Sequence, residues 1–335
     1  MSTKLELLDL LNRIPDQFVS GQEIADTLGV SRNAVWKAVK SLQAQGYPIE
    51  SFAGTGYRLK QKADILSADI LKEKIKYPCK LHVFDKIDST NNFAKTLTDV
   101  SVPQLIVAQQ QTAGRGRLGR SFYSPEGKGI YMTLAFSPDF GLDQAMLITA
   151  MSAVAVCRAI EKVTGLNPKI KWVNDIYLNG KKICGILTEA ETNFETGQIQ
   201  KIIVGIGMNC FEDDNMPEDV KDRATYMENP PKAFERADLI VAVTDEFFGL
   251  LENFNKVQMI QEYKTRSFIL GNQILIFNPA VARSIGRPDD KRSEGIRAKA
   301  IDIDENGGLV VEFLEGLRSG QTETLSTGEI SIRKA

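Results

Sequence analysis

Residues 111–136 read QTAGRGRLGRSFYSPEGKGIYMTLAF, and the first half of this stretch decides between two folds. Gly114, Gly116 and Gly119 fit G-x-G-x-x-G, the turn that cradles a pyrophosphate in doubly wound dinucleotide-binding sheets. That motif needs a helix straight afterwards, because the helix N-terminus holds the phosphates. Here SFYSPEGKG (121–129) follows, rich in turn residues, and then the strand-like IYMTLAFSP (130–138). The dinucleotide reading fails on this context. What remains is a loop with three arginines in six residues, Arg115, Arg117 and Arg120. Glycine gives such a loop backbone freedom, and arginine gives forked contacts to phosphate or carboxylate. The stretch predicts a cationic loop that closes over an anionic ligand; its bland alternative is a solvated basic loop.

Downstream, Lys171-Trp172-Val173-Asn174-Asp175 leads to Asn179-Gly180, a type I′ hairpin signal. The strand after it, KKICGIL (181–187), is apolar on both faces from Ile183 and is expected to be central. A lysine entering such a strand, Lys182, is costly to bury unless it meets an anion, although a lone strand-end lysine is more often ordinary. Gly185 leaves room for close approach of a ligand or backbone. KIIVGIGMNC (201–210) reads as a buried strand ending at Gly205, Gly207 and Asn209, as at a ligand edge. Upstream, LHVFDKI is strand-like, Asp88-Ser89-Thr90-Asn91 opens a helix to Leu97, and Leu105 to Gln111 is again a strand. A long apolar helix is expected over Gln144–Val163, and two more between about Ala233 and Thr265. Strands with interleaved helices indicate an α+β core on a mixed sheet.

The first 62 residues follow a different pattern. Leu5, Leu8, Leu11 and Leu7, Leu10, Ile14 recur at helical spacing. Ser20-Gly21-Gln22-Glu23 is a capping box that starts a short helix, ended at Gly29. Ser31 caps a longer one from Arg32 to about Gln45. Two helices around a glycine turn form the helix-turn-helix pattern. In the second, Val35, Val39 and Leu42 face inward, while Arg32, Asn33, Lys37 and Lys40 lie largely opposite, with Trp36 near them. Two strand-like runs around Ala53-Gly54-Thr55-Gly56 read as a wing. Residues 31–62 carry six basic groups against one acid, Glu50, a local charge of +5 in a chain of net charge −2. Clustered cations release counterions from DNA, and Arg and Asn at a helix N-terminus are types that read base edges. Ser31, Arg32, Asn33, Trp36, Lys37 and Lys40 are therefore the expected DNA-binding residues, on a dimer that meets a two-part operator. The alternative is a hairpin used for protein contacts.

Composition narrows the classes further. A length of 335 residues suits two or three domains, and 43% hydrophobic with 25% charged residues is a globular mixture. Cys79, Cys157, Cys184 and Cys210 form no C-x-x-C pair and His82 is the single histidine, so a zinc site at finger spacing is excluded. The cysteines read as reduced, buried thiols of a cytoplasmic protein. The charged N-terminus lacks a signal peptide's apolar core, and no apolar run approaches the roughly 20 residues that span a bilayer. His82, in a strand-like stretch, reads as structural, which argues against Ser-His-Asp chemistry.

DSTN (88–91), GRGRLGR (114–120), KWVND (171–175), the Lys182–Gly185 pair and GIGMN (205–209) together resemble the biotin–protein ligase family, in that order and at similar spacings. With the N-terminal helix-turn-helix, the chain resembles the bifunctional members that also repress biotin genes. The resemblance implies a winged helix-turn-helix (1–62), a mixed-sheet biotin- and ATP-binding core (67–267) and a small SH3-like β-barrel (268–335). It also implies two half-reactions. Biotin and MgATP give biotinyl-5′-AMP and pyrophosphate, and a lysine of a biotin carboxyl carrier protein then takes the biotinyl group. No covalent enzyme intermediate is involved.

By this resemblance Ser89, Thr90, Asn91 and Gln111 line the biotin end, with Arg115, Gly116 and Arg117 closing over biotin and phosphates. Lys182 bridges the biotin carboxylate and the α-phosphate, and is catalytic with Arg115 and Arg117. Arg117, Arg120, Phe122, Asn174, Asp175, Asn209 and Arg333 meet the nucleotide, with Asp175 on Mg²⁺. Biotinyl-AMP is implied as the co-repressor that orders the loop and promotes a homodimer. Val173 stands where the family commonly has proline, which predicts a less rigid turn, and Asn278 to Glu294 reads as a polar insertion. Two readings compete: a lipoate–protein ligase, and a ligand-sensing regulator without ligase activity.

Overall fold

The structure is a computed structural model that describes residues 3–44, 47–60, 64, 66, 68–138, 145–193, 195, 198–277, 295–326 and 331–334. The expected insertion at 278–294 and the tail residues 328–330 lie outside the described residues. The chain divides into two compact units, residues 1–74 with 235–237, and residues 75–234 with 238–335.

In the first unit, α1 (Thr3–Arg13), α2 (Gly21–Leu28) and α3 (Arg32–Ala44) precede a hairpin of β1 (Ile49–Phe52) and β2 (Gly56–Leu59), and α4 (Ala68–Lys74) follows. The local signals act as read. Ser20 Oγ accepts from Glu23 N–H at 3.1 Å, and Ser31 Oγ accepts from Ala34 N–H at 3.2 Å. Of the capping box only this forward bond is present among the described hydrogen bonds. Gly29 closes α2 in the left-handed region, at φ 64°. Leu7, Leu8 and Leu11 of α1 meet Ile24 of α2, Val35, Val39 and Leu42 of α3, and Leu59 of the wing in one core. Burial of these side chains, each worth about 1.5–3 kcal/mol, fixes the helices that propensity alone leaves marginal.

The second unit holds a seven-stranded mixed sheet. Its strands are β3 (Lys80–Phe84), β4 (Gln104–Ala108), β5 (Gly129–Phe136), β6 (Lys169–Lys171), β7 (Asp175–Leu178), β8 (Lys181–Thr192) and β9 (Ile199–Asn209). Their order is β3-β4-β5-β9-β8-β7-β6, parallel only between β3 and β4. Strand β8 is interior, as its apolar run predicts. Asn179 and Gly180 both take positive φ, 50° and 80°, at the β7–β8 turn, as a type I′ hairpin requires. Helix α5 (Thr90–Thr96) follows β3, and α6 (Ala145–Thr164) is the long apolar helix. A four-residue α7 (Glu218–Lys221), which the sequence reading did not include, precedes α8 (Arg236–Glu252) and α9 (Lys256–Arg266).

Side chains alternate across a strand, so one contact fixes a whole face. Thr149 of α6 hydrogen-bonds Thr188 of β8 at 2.9 Å, which puts the even positions of β8 toward α6. Glu189 points the other way and reaches α5. Across the ladder, Gly185 pairs with Gly207 and Glu189 with Ile203, and on β5 Tyr131 pairs with Gly207 and Thr133 with Gly205. These residues share the face that α5 covers.

The C-terminal part is a five-stranded antiparallel sheet, β10 (Gln273–Phe277), β11 (Ile296–Ile303), β12 (Leu309–Phe313), β13 (Thr322–Leu325) and β14 (Ser331–Lys334), ordered β13-β12-β11-β10-β14. Alternate residues of β11 and β12 (Ile296, Ala298, Ala300; Leu309, Val311, Phe313) are fully buried, the pattern of a sheet with one face on a core.

Candidate active site

One end of the shared face is a closed hydrogen-bond chain. Ser89, Thr90 and Asn91 open α5 and are all buried. Gln111 Oε1 accepts from Thr90 N–H at 2.9 Å and from Thr90 Oγ1 at 3.1 Å, and Gln111 Nε2 donates to Ser124 Oγ at 3.0 Å. Thr133, in the middle of β5, lies 2.8 Å from Thr90 Oγ1 and 2.7 Å from Asn91 Oδ1. Asn91 Nδ2 donates to Glu189 at 3.0 Å, and Lys95 donates to the other carboxylate oxygen at 2.7 Å. Burial pushes the Glu189 pKa up, but the bonds from Lys95 and Asn91 outweigh it and hold the carboxyl below its ordinary value. The four expected residues thus come together. Thr133, Ser124, Lys95 and Glu189, which the sequence reading missed, tie them in place. Ser89 makes no cap hydrogen bond with its side chain.

The arginine-glycine loop forms a tight hairpin around a single 3-10 turn, Arg117–Gly119, with no helix after it. Gly116 N–H donates to Arg120 O at 2.7 Å and Phe122 N–H to Gly114 O at 2.8 Å. A Cβ on Gly114 would fall 2.4 Å from the Phe122 carbonyl, so this hairpin demands glycine there. The cations are already engaged. Arg115 reaches Asn92 Oδ1 at 3.1 Å and Glu189 at 3.6 Å, and half-buried Arg117 donates to Asn174 Oδ1 at 3.1 Å. Burial lowers the Arg117 pKa and nearby Asp175 partly offsets it. Arg120 is exposed and serves the loop through its backbone.

At the other end Lys182 Nζ lies 2.6 Å from Asp175 Oδ1. Lys182 and Gly185 are three positions apart, which in a regular strand puts them on opposite faces. The ladder with β7 shifts register here: Ile176 pairs with Cys184 but Tyr177 with Lys182. This bulge turns Lys182 onto the site face, where its Nζ would meet a Cβ on Gly185 at 3.0 Å. Asn174 is held from two sides, accepting from Arg117 and donating to Ile186 O at 2.7 Å. Asn209 donates to Thr225 O at 3.0 Å.

Gly205 and Gly207, read as a ligand edge, make room for the protein's own side chains. A Cβ on Gly205 would sit 2.2 Å from Asn91 Oδ1, and one on Gly207 would sit 2.6 Å from the Phe122 ring. Arg333 is known here by its backbone register, opposite Leu275; its side chain lies outside the described residues. The Trp172–Val173 peptide is cis. The turn at Val173, expected to be less rigid without proline, is pinned by hydrogen bonds on both sides, from Trp172 Nε1 to Gly307 O at 2.8 Å and from Tyr263 Oη to Val173 O at 2.9 Å.

The remaining candidates have plain roles. His82 Nε2 lies 2.9 Å from Gln104 Oε1 and its ring packs on Phe93, a structural histidine. Three cysteines are buried as expected, but Cys79 is half-buried. Burial pushes the Cys79 thiol up to about 11 and Cys157 up to about 12, far from nucleophilic behaviour. In the first unit Ser31, just before α3, and Arg32, Asn33, Trp36, Lys37 and Lys40 on α3 are all exposed, with Trp36 half in solvent at 50%. The wing differs from its sequence reading, because Arg58 and Lys60 both pair with Glu50, Lys60 at 2.9 Å. Two of the six basic groups thus share the single negative charge of Glu50, and Lys62 lies outside the described residues.

Fold and site define a class: a helix-turn-helix unit preceding an α/β core with a cationic glycine loop over a Lys–Asp pair. Residues 83–209 match the biotin/lipoate A/B protein ligase family, and residues 3–58 match an HTH domain. The chain is 35% identical to the bifunctional ligase/repressor BirA of Bacillus spizizenii, covering 96% of this chain and 98% of that one. It is 28% identical to BirA of Escherichia coli over 99% and 97% of the two chains. The solved biotin protein ligase from Aquifex aeolicus in complex with biotin and ATP superposes with a TM-score of 0.61 at 28% identity, covering 76% of this chain and 99% of that one. The chain belongs to the biotin–protein ligase family, among its bifunctional ligase/repressors.

Proposed function

We propose that the chain condenses biotin with ATP to biotinyl-5′-AMP, passes the biotinyl group to a lysine of a biotin carboxyl carrier protein, and represses biotin genes when loaded with the adenylate. The observation that carries the ligase reading is the convergence of Lys182, Asp175, Arg117 and Asn174 on the sheet face that also holds the buried Thr90–Asn91–Gln111 cluster. The neutral cluster suits a ureido ring, which offers donors and acceptors but no charge. The cationic end suits the carboxylate and phosphates.

In this reading Lys182 leaves Asp175 for the biotin carboxylate and the α-phosphate, and neutralises charge as the carboxylate oxygen attacks phosphorus and pyrophosphate departs. Arg115, Gly116 and Arg117 close over the anhydride and keep water from it. Ser89 lines the biotin end, Phe122 offers a ring face to adenine, and Asn174, Asn209, Arg120 and Arg333 complete the nucleotide end. In the second half-reaction the acceptor lysine attacks the acyl carbon and AMP leaves. Positioning and cationic stabilisation do the chemistry without an enzyme nucleophile.

Among the described residues no group of three or more His, Cys, Asp or Glu is gathered to hold a metal. A lone carboxylate, Asp175, fits Mg²⁺ that arrives on the triphosphate, since this ion is usually held by one or two carboxylates plus phosphates. Bound there, Mg²⁺ would neutralise the phosphate oxygens.

We further assign 1–62, 67–267 and 268–335 as the DNA-binding, catalytic and C-terminal domains. The repressor is a homodimer on its operator, and the protein acts in the cytoplasm. Among the described residues no helix is long and apolar enough to cross a membrane.

Mixing the protein with biotin, MgATP and a carrier domain, and reading the carrier's mass, tests the ligase. A biotinyl mass gain is expected. Gain with lipoate instead of biotin, or no gain with folded protein, overturns it. Operator binding that ignores biotin and ATP would remove the co-repressor half, and sedimentation that is the same with and without the adenylate would remove the ligand-driven dimer.

A further inference from the structure

Residues Trp172 to Asn174 join β6 to β7, and Asp175 is the first residue of β7. The turn is gripped twice from outside the catalytic sheet. Trp172 is almost fully buried, and its indole N–H donates to the carbonyl of Gly307 at 2.8 Å. Gly307 sits in the β11–β12 turn of the C-terminal sheet, at φ 85°, a conformation that suits glycine. Asp304 braces this turn, accepting from Asn306 N–H and Gly308 N–H at 2.8 Å each. On the next residue, the Val173 carbonyl accepts from Tyr263 Oη at 2.9 Å. Tyr263 is fully buried on α9, the helix that leads into β10. Burial pushes its hydroxyl well above the ordinary value, so it keeps the proton that this bond needs. Helix α9 is itself tied down. Arg266 pairs with Glu161 of α6 at 2.6 Å, and Lys264 pairs with Asp302 of β11 at 2.7 Å.

We infer that Tyr263 and the Trp172–Gly307 bond form a two-point clamp by which α9 and the C-terminal sheet set the position of Asn174 and Asp175, making Tyr263 a positioning residue for nucleotide binding. This rests on the reading of Asn174 and Asp175 as the nucleotide end. The inference is specific about which substrate feels the clamp. The Thr90–Asn91–Gln111 cluster is held by β5, β8 and α5, and among the described residues it shares no hydrogen bond with the clamped turn. Loosening the turn should weaken ATP and spare biotin.

The test uses full-length Tyr263→Phe, Trp172→Phe and Asn174→Ala in ATP–pyrophosphate exchange, with KM measured for each substrate. Tyr263→Phe keeps the ring's packing and deletes only the donor hydroxyl, whereas Trp172→Phe deletes the indole N–H together with part of the buried ring. The expected result for Tyr263→Phe is an ATP KM raised about tenfold, equivalent to ~1.4 kcal/mol, with biotin KM within about twofold. Trp172→Phe should move the same parameter in the same direction, and it carries the test if Tyr263→Phe does not fold. An ATP KM unchanged in folded clamp variants, while Asn174→Ala raises it, overturns the clamp and leaves the site assignment standing. Parallel rises in both KM values, tracking a fall in melting temperature, overturn it in favour of a purely structural role. An unchanged ATP KM in Asn174→Ala overturns the site assignment itself.

Discussion

On α3, Arg32, Lys37 and Lys40 stand exposed, and among the described residues none pairs with a carboxylate. In the core nearly every cation of the site already has a partner: Lys182 has Asp175, Arg115 and Lys95 share Glu189, and Arg117 has Asn174. The contrast separates two ways of handling anions. An unpaired stripe projects its field over about a Debye length, ~8–10 Å, and attracts any polyanion in a salt-dependent way. A self-paired site is quiet until an anion arrives that can displace its carboxylates, so it gains selectivity at the expense of raw attraction. The wing falls between the two, because Glu50 holds Arg58 and Lys60.

The largest effect should come from the core. Lys182→Ala is expected to slow adenylate formation by roughly 10²–10³, the cost of losing one preorganised charge-stabilising donor, with thermal melting largely kept. Near-normal pyrophosphate exchange would break the comparison at its strongest point. Replacing Arg32, Lys37 and Lys40 together by Ala should weaken operator binding roughly 10²-fold at moderate salt and flatten the log K against log salt slope by about 0.9 per lost phosphate contact. A slope unchanged by the triple substitution would mean α3 does not face phosphates.

Arg117→Gly should release the adenylate about tenfold faster, in line with the loss of a charged hydrogen bond. Retention equal to that of the parent protein would count against a closing loop. The smallest change sharpens the middle case: Glu50→Gln frees two wing cations and should tighten DNA binding by about two- to threefold at low salt while steepening the slope. Acid reproduces this change only at low pH. The bonds from Arg58 and Lys60 hold the Glu50 carboxyl below its ordinary value, so it stays charged to a lower pH than a free glutamate.

The sequence carried the elements whose signals are local. Ser20, Gly29 and Ser31 act within one turn of chain, and Asn179-Gly180 sets its hairpin by itself. The loop arginines and Lys182 were legible because charge in a glycine-rich or apolar setting needs a reason. Glu189 was not, although it ties the Thr90–Asn91–Gln111 cluster to Lys95. Its partners Asn91 and Lys95 lie 98 and 94 residues away and meet it only once β8 is in register with β9 and α5 is docked. Thr133 offered a faint signal, a lone hydroxyl in an otherwise buried apolar strand, whose partners no spacing rule identifies. Gly205 and Gly207 were read as a ligand edge, and the atoms that come close to them belong to Asn91 and Phe122. Periodicity marks where space is needed and is silent about what fills it.

The bond from Trp172 to the Gly307 carbonyl also bears on how the protein can be cut. A fragment ending at 267 would keep every expected nucleotide-end residue except Arg333, and would look complete on paper. It would lose one of the two grips on the turn before Asn174, along with the ion pair that steadies α9 from β11. Because β14 pairs along β10, the last strand is stitched to the first one beyond α9. The shortest engineered ligase worth making from this chain should therefore run through Lys334, and trimming belongs at the N-terminal end.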